Sequence, residues 1–330
     1  MTGTISMADV EAAARTLRGR ADSTPLVPSL FPGADLWLKL EICQPIGAFK
    51  LRGALNAVAA TDAPAVTCCS TGNHGRGVAW AARAAGKRAV ICMSALVPQA
   101  KVDGIRALGA EVRITGRSQD DAQAEVERLV AEEGLAEISP FDDPLVIAGQ
   151  ATVGAEMMAQ KPDLRTILVP LSGGGLAAGV ALAAKAADPA VRVIGVTMDR
   201  GAAMHDSLRA GQPVAVEEVP SLADSLGGGI GMRNRLSFPM CRDLLDDVVL
   251  VSEGEIYAAM QALFHRDGLV AEGGSVVGLA ALMAGKVVAE GPVGTILTGR
   301  NVDMAQFTRV VTGQDVQLGD VTVTGVPYAA

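Results

Sequence analysis

Histidine is scarce in this chain, and the three present (His74, His205 and His265) lie far apart with neither HxxxH nor HExxH spacing. That argues against a histidine-built metal centre and against a histidine-based catalytic triad. The cysteines Cys43, Cys68, Cys69, Cys92 and Cys241 are odd in number, two are adjacent, and none stands in CxxC spacing. Neither a disulfide framework nor a zinc site is expected, and the thiols read as reduced. No run of Lys or Arg and no basic stretch interleaved with aromatics occurs, and the net charge is −8; nucleic acid is an unexpected partner. The first thirty residues lack a basic region followed by an apolar run, and later apolar stretches are broken by Gly, Pro or charge too often to span a bilayer. A soluble cytoplasmic protein is the expectation. Two tryptophans, two tyrosines and six phenylalanines leave the core to Val, Leu, Ile and Ala, a usage suited to a parallel sheet covered by helices. At 330 residues the chain exceeds one compact core, so two lobes are expected.

What is present begins with an amphipathic helix predicted from Ser6 to Arg18. Asp35 to Glu41 then alternates in period two and runs into Gln44-Pro45-Ile46-Gly47-Ala48-Phe49-Lys50. Lys50 therefore stands just past a strand, at the start of a helix predicted for Leu51 to Ala59. Partial burial among these apolar neighbours disfavours an ammonium, and a neutral amine can attack a carbonyl to form a Schiff base. The alternative is a packed stem whose charge reaches water.

From Ala65 the pattern is strand (Ala65 to Cys69), polar turn (Ser70 to Gly75), helix (Val78 to Ala85) and strand (Arg88 to Met93). A helix from Ala100 to Leu108, a strand from Glu111 to Ile114 and a helix from Asp120 to Glu133 follow. The turn is dense in donors at a helix start, where unpaired N–H groups and the helix dipole favour a carboxylate; an ordinary helix cap is the alternative. Further on, Ser172-Gly173-Gly174-Gly175-Leu176 lies between a strand (Arg165 to Leu171) and a helix (Ala177 to Ala187), a context that suits phosphate. The GxGxxG spacing and the Walker lysine are both missing, so a phosphorylated, mononucleotide-like cofactor fits better than a dinucleotide. The glycine cluster Leu226 to Gly231 follows no predicted strand and reads equally as connector or functional loop.

Taken together, Gly47-Ala-Phe-Lys50-Leu-Arg-Gly53, Ser70-Thr-Gly-Asn-His-Gly75, Ser172-Gly-Gly-Gly-Leu176 and Thr298-Gly-Arg-Asn-Val-Asp303 resemble the fold-type II pyridoxal-phosphate enzymes. The nearest group is the threonine dehydratase and serine racemase family. Within it, Ser94-Ala-Leu-Val-Pro98, Gly116-Arg-Ser-Gln-Asp-Asp-Ala122 and Arg200-Gly-Ala-Ala-Met-His205 look like the hydroxyectoine-utilisation dehydratases.

The resemblance implies an α/β fold of two open, twisted, mostly parallel sheets flanked by helices, with the active site in the cleft between a large domain (1–64 and 144–330) and a small mobile domain (65–143). It implies pyridoxal 5′-phosphate as cofactor and a homodimer. Lys50 would carry the cofactor and act as base at Cα, with Phe49 packing beside the ring. Gly173, Gly174, Gly175 and Leu176 would hold the phosphate, Asn73 the ring hydroxyl and Thr298 the pyridine nitrogen, with Glu272 near the ring edge. Ser70, Thr71, Gly72, Asn73 and His74 would surround the substrate.

Loss of water from a 3-hydroxy amino acid, leaving a 2-oxo acid and ammonia, is the implied reaction. Threonine, serine, 3-hydroxyaspartate and a hydroxyectoine-derived amino acid all share the reacting atoms. Racemases of the family carry a serine base at the position of Thr71, whose bulkier and rotamer-restricted hydroxyl ranks racemisation lower. A non-catalytic amino-acid-binding regulator is the alternative outside enzymes, disfavoured by the retained Lys50. Positions matching the acidic residues of the family's cation site read Thr197, Gly201 and Ala203, so no metal is expected there, although Asp199 is nearby. Arg117, in a turn after a small-domain strand, would help select the substrate side chain, for example by pairing with a second carboxylate, or close the small domain over it; a solvated arginine paired with Asp120 or Asp121 is the alternative.

Overall fold

Helix starts in this chain are fixed by short local bonds. The Ser6 hydroxyl accepts the Asp9 N–H while the Asp9 carboxylate accepts the Ser6 N–H at 2.8 Å, a capping box that begins α1 (Met7–Leu17). Asp143 likewise accepts the N–H groups of Leu145 and Val146, with Pro144 at the first position of α6 (Pro144–Gln160). The structure is a computed structural model describing residues 5–329 apart from Thr71, Leu96, Pro98 and Ser118, with the backbone alone described at 100, 101, 119 and 120.

Two sheets organise the chain. The larger comprises β1 (Leu26–Pro28), β2 (Leu36–Lys39), β7 (Thr166–Pro170), β8 (Arg192–Met198), β9 (Asp247–Val251) and β10 (Val293–Ile296) in the order β1-β2-β10-β7-β8-β9. All its pairings are parallel except that of β1 with β2. The smaller runs β5-β4-β3-β6, all parallel, from β3 (Ala65–Cys69), β4 (Arg88–Met93), β5 (Glu111–Ile114) and β6 (Ala136–Glu137). Every residue of β7 is buried, as a strand covered by helices on both faces requires. The remaining helices used below are α2 (Lys50–Ala60), α3 (Asn73–Ala84), α4 (Gln99–Arg106), α5 (Gln119–Glu133) and α7 (Gly175–Ala187). No helix among the described residues is long and apolar enough to cross a membrane.

Helices α2, α6 and α7 pack backbone against backbone. A Cβ at Gly149 would stand 2.7 Å from the Gly53 Cα, and one at Gly179 would stand 2.8 Å from the Ala151 nitrogen and the Ile147 oxygen. Beneath α2 the buried Arg52 guanidinium is clasped by Glu41 and Glu156, and Lys39 donates to Glu156 at 2.6 Å. Lys50 is thereby set at the end of a helix held from two sides.

Some boundaries depart from the sequence expectation. Helix α3 starts at Asn73 rather than Val78, so Asn73, His74 and Gly75 of the supposed turn belong to its first turn. Its glycines, poor helix formers alone, permit close approach: a Cβ at Gly75 would stand 2.7 Å from the Ser70 oxygen, and one at Gly77 3.1 Å from the Lys50 oxygen. Helix α7 similarly begins at Gly175 rather than Ala177. The helix Glu253–Ala262 runs into a wide π-type turn at Leu263–Asp267. The hairpin of Val316–Leu318 with Val321–Val323 was not legible in the periodicity.

Candidate active site

The ends of β3, β7 and β10 and the starts of α2, α3 and α7 converge on a cavity of 510 Å³, the position where open parallel sheets place ligands. Lys50 lines it. Its Nζ donates to the Pro140 oxygen at 2.6 Å and lies 5.4 Å from the centre of the Phe49 ring. Burial lowers the Lys50 ammonium pKa to about 8, so neutral amine is far more available than in an exposed lysine. The Lys50 amine end is held at the cavity wall by a backbone carbonyl, with the residue half-buried. The Cys68 thiol beneath it is pushed well up by burial and remains neutral.

Two helix N-termini open into this cavity. At Ser172-Gly173-Gly174-Gly175, Gly174 adopts φ +89° and leads into α7 without a side-chain cap. The N–H groups of Gly174, Gly175, Leu176 and Ala177 take no protein acceptor among the described residues, and the first inward bond is Ala178 N–H to the Gly174 oxygen. The Gly173 oxygen is held by the Ser237 hydroxyl at 2.6 Å, which turns this peptide plane away from the cavity's donors. Four unpaired donors with the positive end of a 13-residue helix make an anion cradle.

The start of α3 supplies the other cradle. The N–H groups of Asn73, His74 and Gly75 have no protein acceptor among the described residues, while Gly72 N–H is taken by the Ser70 hydroxyl. His74 is 3% exposed, and Nε2 contacts the Ile138 oxygen at 2.7 Å. A carbonyl only accepts, so Nε2 carries the proton and Nδ1 is left as a bare acceptor, buried without a partner. Burial, then the Lys50 charge, pushes the His74 pKa down to about 3. The ring is neutral and has no proton to spare for a carboxylate; the His74 backbone N–H does.

Between the cradles lies a polar frame. Asn73 Nδ2 donates to both Glu272 oxygens at 3.0 and 3.1 Å, and Asn73 Oδ1 accepts from Asn301 Nδ2 at 2.6 Å. Glu272 also accepts the Asn301 N–H at 2.7 Å, and burial raises its carboxyl pKa. Thr298 Oγ1 lies 2.9 Å from Ser275 Oγ, which donates to the Gly299 oxygen and accepts its N–H, each at 2.8 Å. Lysine, two anion cradles and the Thr298 hydroxyl on one cavity suit a phosphorylated aldehyde: the α7 cradle could hold a phosphate and Lys50 a carbonyl.

Of the residues picked out from the sequence, Phe49, Lys50, Ser70, Gly72, Asn73 and His74 all line this cavity. So do Arg117, Gly173, Gly174, Gly175, Leu176, Glu272 and Thr298. Thr71 lies outside the described residues. Gly227, Gly228 and Gly229 also line it, so this second cluster borders the site. Sequence reasoning missed Ser275, Pro140, Phe141 and Arg76. It quoted Asn301 within a motif without giving it a role; its position three residues after Thr298 was the available signal. Arg117, an exposed residue, donates its backbone N–H to Asp121 at 2.8 Å and borders the cavity. Among the described residues no cluster of three or more His, Cys, Asp or Glu is placed to hold a metal ion, and Asp199 is exposed.

A sequence model of the family described as pyridoxal-phosphate dependent enzyme matches residues 18–299. The chain is 55% identical over 318 residues to a putative threonine dehydratase of Sinorhizobium fredii, covering 94% of this chain and 96% of that protein. It is 41% identical over 284 residues to an L-threonine ammonia-lyase of Geobacter sulfurreducens, covering 84% of this chain and 70% of that one. The structure of maize serine racemase superposes with a TM-score of 0.87 at 31% identity, covering 93% of this chain and 97% of that one.

Proposed function

The chain belongs to the pyridoxal-phosphate dependent enzyme family, and from that premise we propose that it is a lyase removing water from a 3-hydroxy amino acid to leave a 2-oxo acid and ammonia. Similarity to a threonine ammonia-lyase and a putative threonine dehydratase over most of the chain supports this class. The observation that carries it is Lys50, with its pKa lowered to about 8 by burial, in the same cavity as two unpaired helix N-termini.

In this reading Lys50 would hold the cofactor through its aldehyde, and the N–H groups of Gly174 to Ala177 would hold its phosphate. Asn73, held by Glu272 and Asn301, would face the ring hydroxyl, and Thr298 would face the ring nitrogen. When bound, the cofactor supplies the electron sink that makes a Cα proton removable. The Lys50 amine would take that proton and return it to the departing β-hydroxyl, which leaves as water; the dehydrated imine then takes up one water to give the 2-oxo acid and ammonia. The α3 N-terminus, through the backbone of Asn73 and His74, orients the substrate carboxylate so that the Cα–H bond faces Lys50. A hydroxyl at the ring nitrogen, lacking a carboxylate's charge, provides less lasting carbanion stabilisation, which suits fast elimination better than racemisation. Residues 65–143 act as the part that closes over the substrate.

The test is a 2-oxo acid assay on purified holoprotein with L-threonine, L-serine, 3-hydroxyaspartate and a hydroxyectoine-derived amino acid, alongside chiral analysis of recovered substrate. Oxo acid and ammonia in equal amounts are expected from at least one. Inverted substrate without oxo acid would establish the racemase reading instead, and binding without either product the regulator.

A further inference from the structure

Arg76 is the charged group on the cavity wall that the scheme above leaves without work. It follows Asn73 by one helical turn, so the two side chains leave α3 on the same side. It lines the cavity with Ser94 and Val97, on the wall formed by the smaller sheet. Arg52, Arg88, Arg113 and Arg128 are all ion-paired. The Arg76 guanidinium has no hydrogen bond or ion pair with any described residue, and its Nε is buried without a partner. Glu218 and Glu272, acidic residues on the same cavity, form no ion pair with it.

The fold keeps a place for this group. Gly104 lies inside α4, where a Cβ would stand 3.1 Å from Arg76 Nη1. Glycine within a helix costs about 1 kcal/mol relative to alanine, and here it leaves room for the guanidinium. A half-buried guanidinium on a cavity wall, with its Nε buried and its fork of N–H donors unpaired, is a receptor for an anion, above all a carboxylate taken by two parallel bonds. Arg117 lines the same cavity from the end of β5, with its turn pinned by the bond from its N–H to Asp121.

We propose that Arg76, assisted by Arg117, forms a side-chain acid subsite, so that the preferred substrate is a hydroxy amino acid bearing a second carboxylate. This rests on the hydroxy amino acid reading above. The two helix N-termini account for the cofactor phosphate and the α-carboxylate, which leaves the arginines to the third anionic group of the bound pair. Arg76 sets specificity and takes no part in breaking bonds.

The test compares wild type, Arg76→Gln, Arg117→Ala and Gly104→Ala as holoproteins. Arg76→Gln should lower kcat/KM for 3-hydroxyaspartate by about 10- to 100-fold, mainly through KM, with a far smaller loss on L-serine. Arg117→Ala should act in the same direction more weakly. Gly104→Ala, which crowds the guanidinium without removing it, supplies the answer should Arg76→Gln fail to fold. Calorimetry with L-aspartate, which has no β-leaving group, reads the subsite without turnover and should show the same loss of affinity. Equal losses on both substrates, or aspartate binding indifferent to Arg76, would overturn the proposal. Loss of cofactor absorbance in Arg76→Gln would do so too, by assigning the arginine to the cofactor. Should wild type yield no oxo acid from any substrate, the lyase reading fails, while Arg76-dependent aspartate binding would still uphold the subsite.

Discussion

Replacing Arg52 with methionine removes the cation at the centre of the buried network under α2. In the native protein its Nε and Nη2 donate to Glu41 at 2.8 and 2.7 Å, and its Nη1 and Nη2 donate to Glu156 at 2.7 and 2.9 Å. Glu41 is fully buried and would keep only Thr24 and Gln44 as partners, whereas Glu156 is partly exposed and would keep Lys39. Leaving one buried carboxylate without its cation costs about 3–5 kcal/mol, a large share of the roughly 5–15 kcal/mol that holds a domain folded. Urea unfolding at pH 7 and fixed cofactor concentration should show that loss in the midpoint. Adding Glu41→Gln to the variant removes the stranded charge and should restore about 2 kcal/mol or more.

Acid gives a second readout. Burial raises the Glu156 pKa, but its bonds and charge pairing with Arg52 and Lys39 outweigh that and hold it below the usual carboxylate range. A depressed carboxyl pKa contributes stability above its unfolded value and loses it as pH falls through the folded one. The native protein should therefore lose stability more steeply below about pH 4.5 than Arg52→Met does. A cost under about 1 kcal/mol, or a double variant no more stable than the single one, would refute this account.

Lys50→Ala should reduce oxo acid formation to background, and borohydride should no longer fix cofactor mass to the chain in mass spectrometry. Gly174→Val places a branched side chain at φ +89°, with its Cβ 2.6 Å from Met204 Cε and 2.9 Å from Cys241 Sγ; strain of about 1–3 kcal/mol should lower the Tm and release cofactor on dialysis. With the Lys50 pKa lowered to about 8 by burial, covalent cofactor uptake by apoprotein should quicken roughly tenfold per pH unit up to that pH and then level off, as the neutral amine becomes the main species. A rate still rising at pH 10 would place the lysine in open solvent.

Lys50 and the Ser172 to Leu176 loop were legible because their signals are local: a strand period ending at a glycine turn, followed by a helix period. The α3 start was misplaced because its glycines are poor helix formers alone, and their value lies in contacts with α2 and with Ser70. The frame around Asn73 could not be read from spacing at all. Its bonds join residues 73, 272 and 301, and the Lys50 bond joins residues 50 and 140, separations over which no periodicity carries information. Arg76 was passed over for a related reason, since an arginine in a helix reads as a solvated charge until its neighbours are known to offer no partner.

The contact of α2, α6 and α7 through glycine leaves no side-chain volume to exchange. A core layer packed by leucines can drift by trading methylenes, but Gly53, Gly149 and Gly179 can only enlarge, and each would push one backbone off another. Mutational tolerance should therefore be lopsided across the cavity. The lysine side is closed to gradual change, while the wall carrying Arg76, Ser94, Val97 and Arg117 is built of side chains that can be swapped one at a time. Descendants of this chain, natural or selected in the laboratory, should acquire new substrates by rewriting that wall while keeping the lysine and its helix where they are.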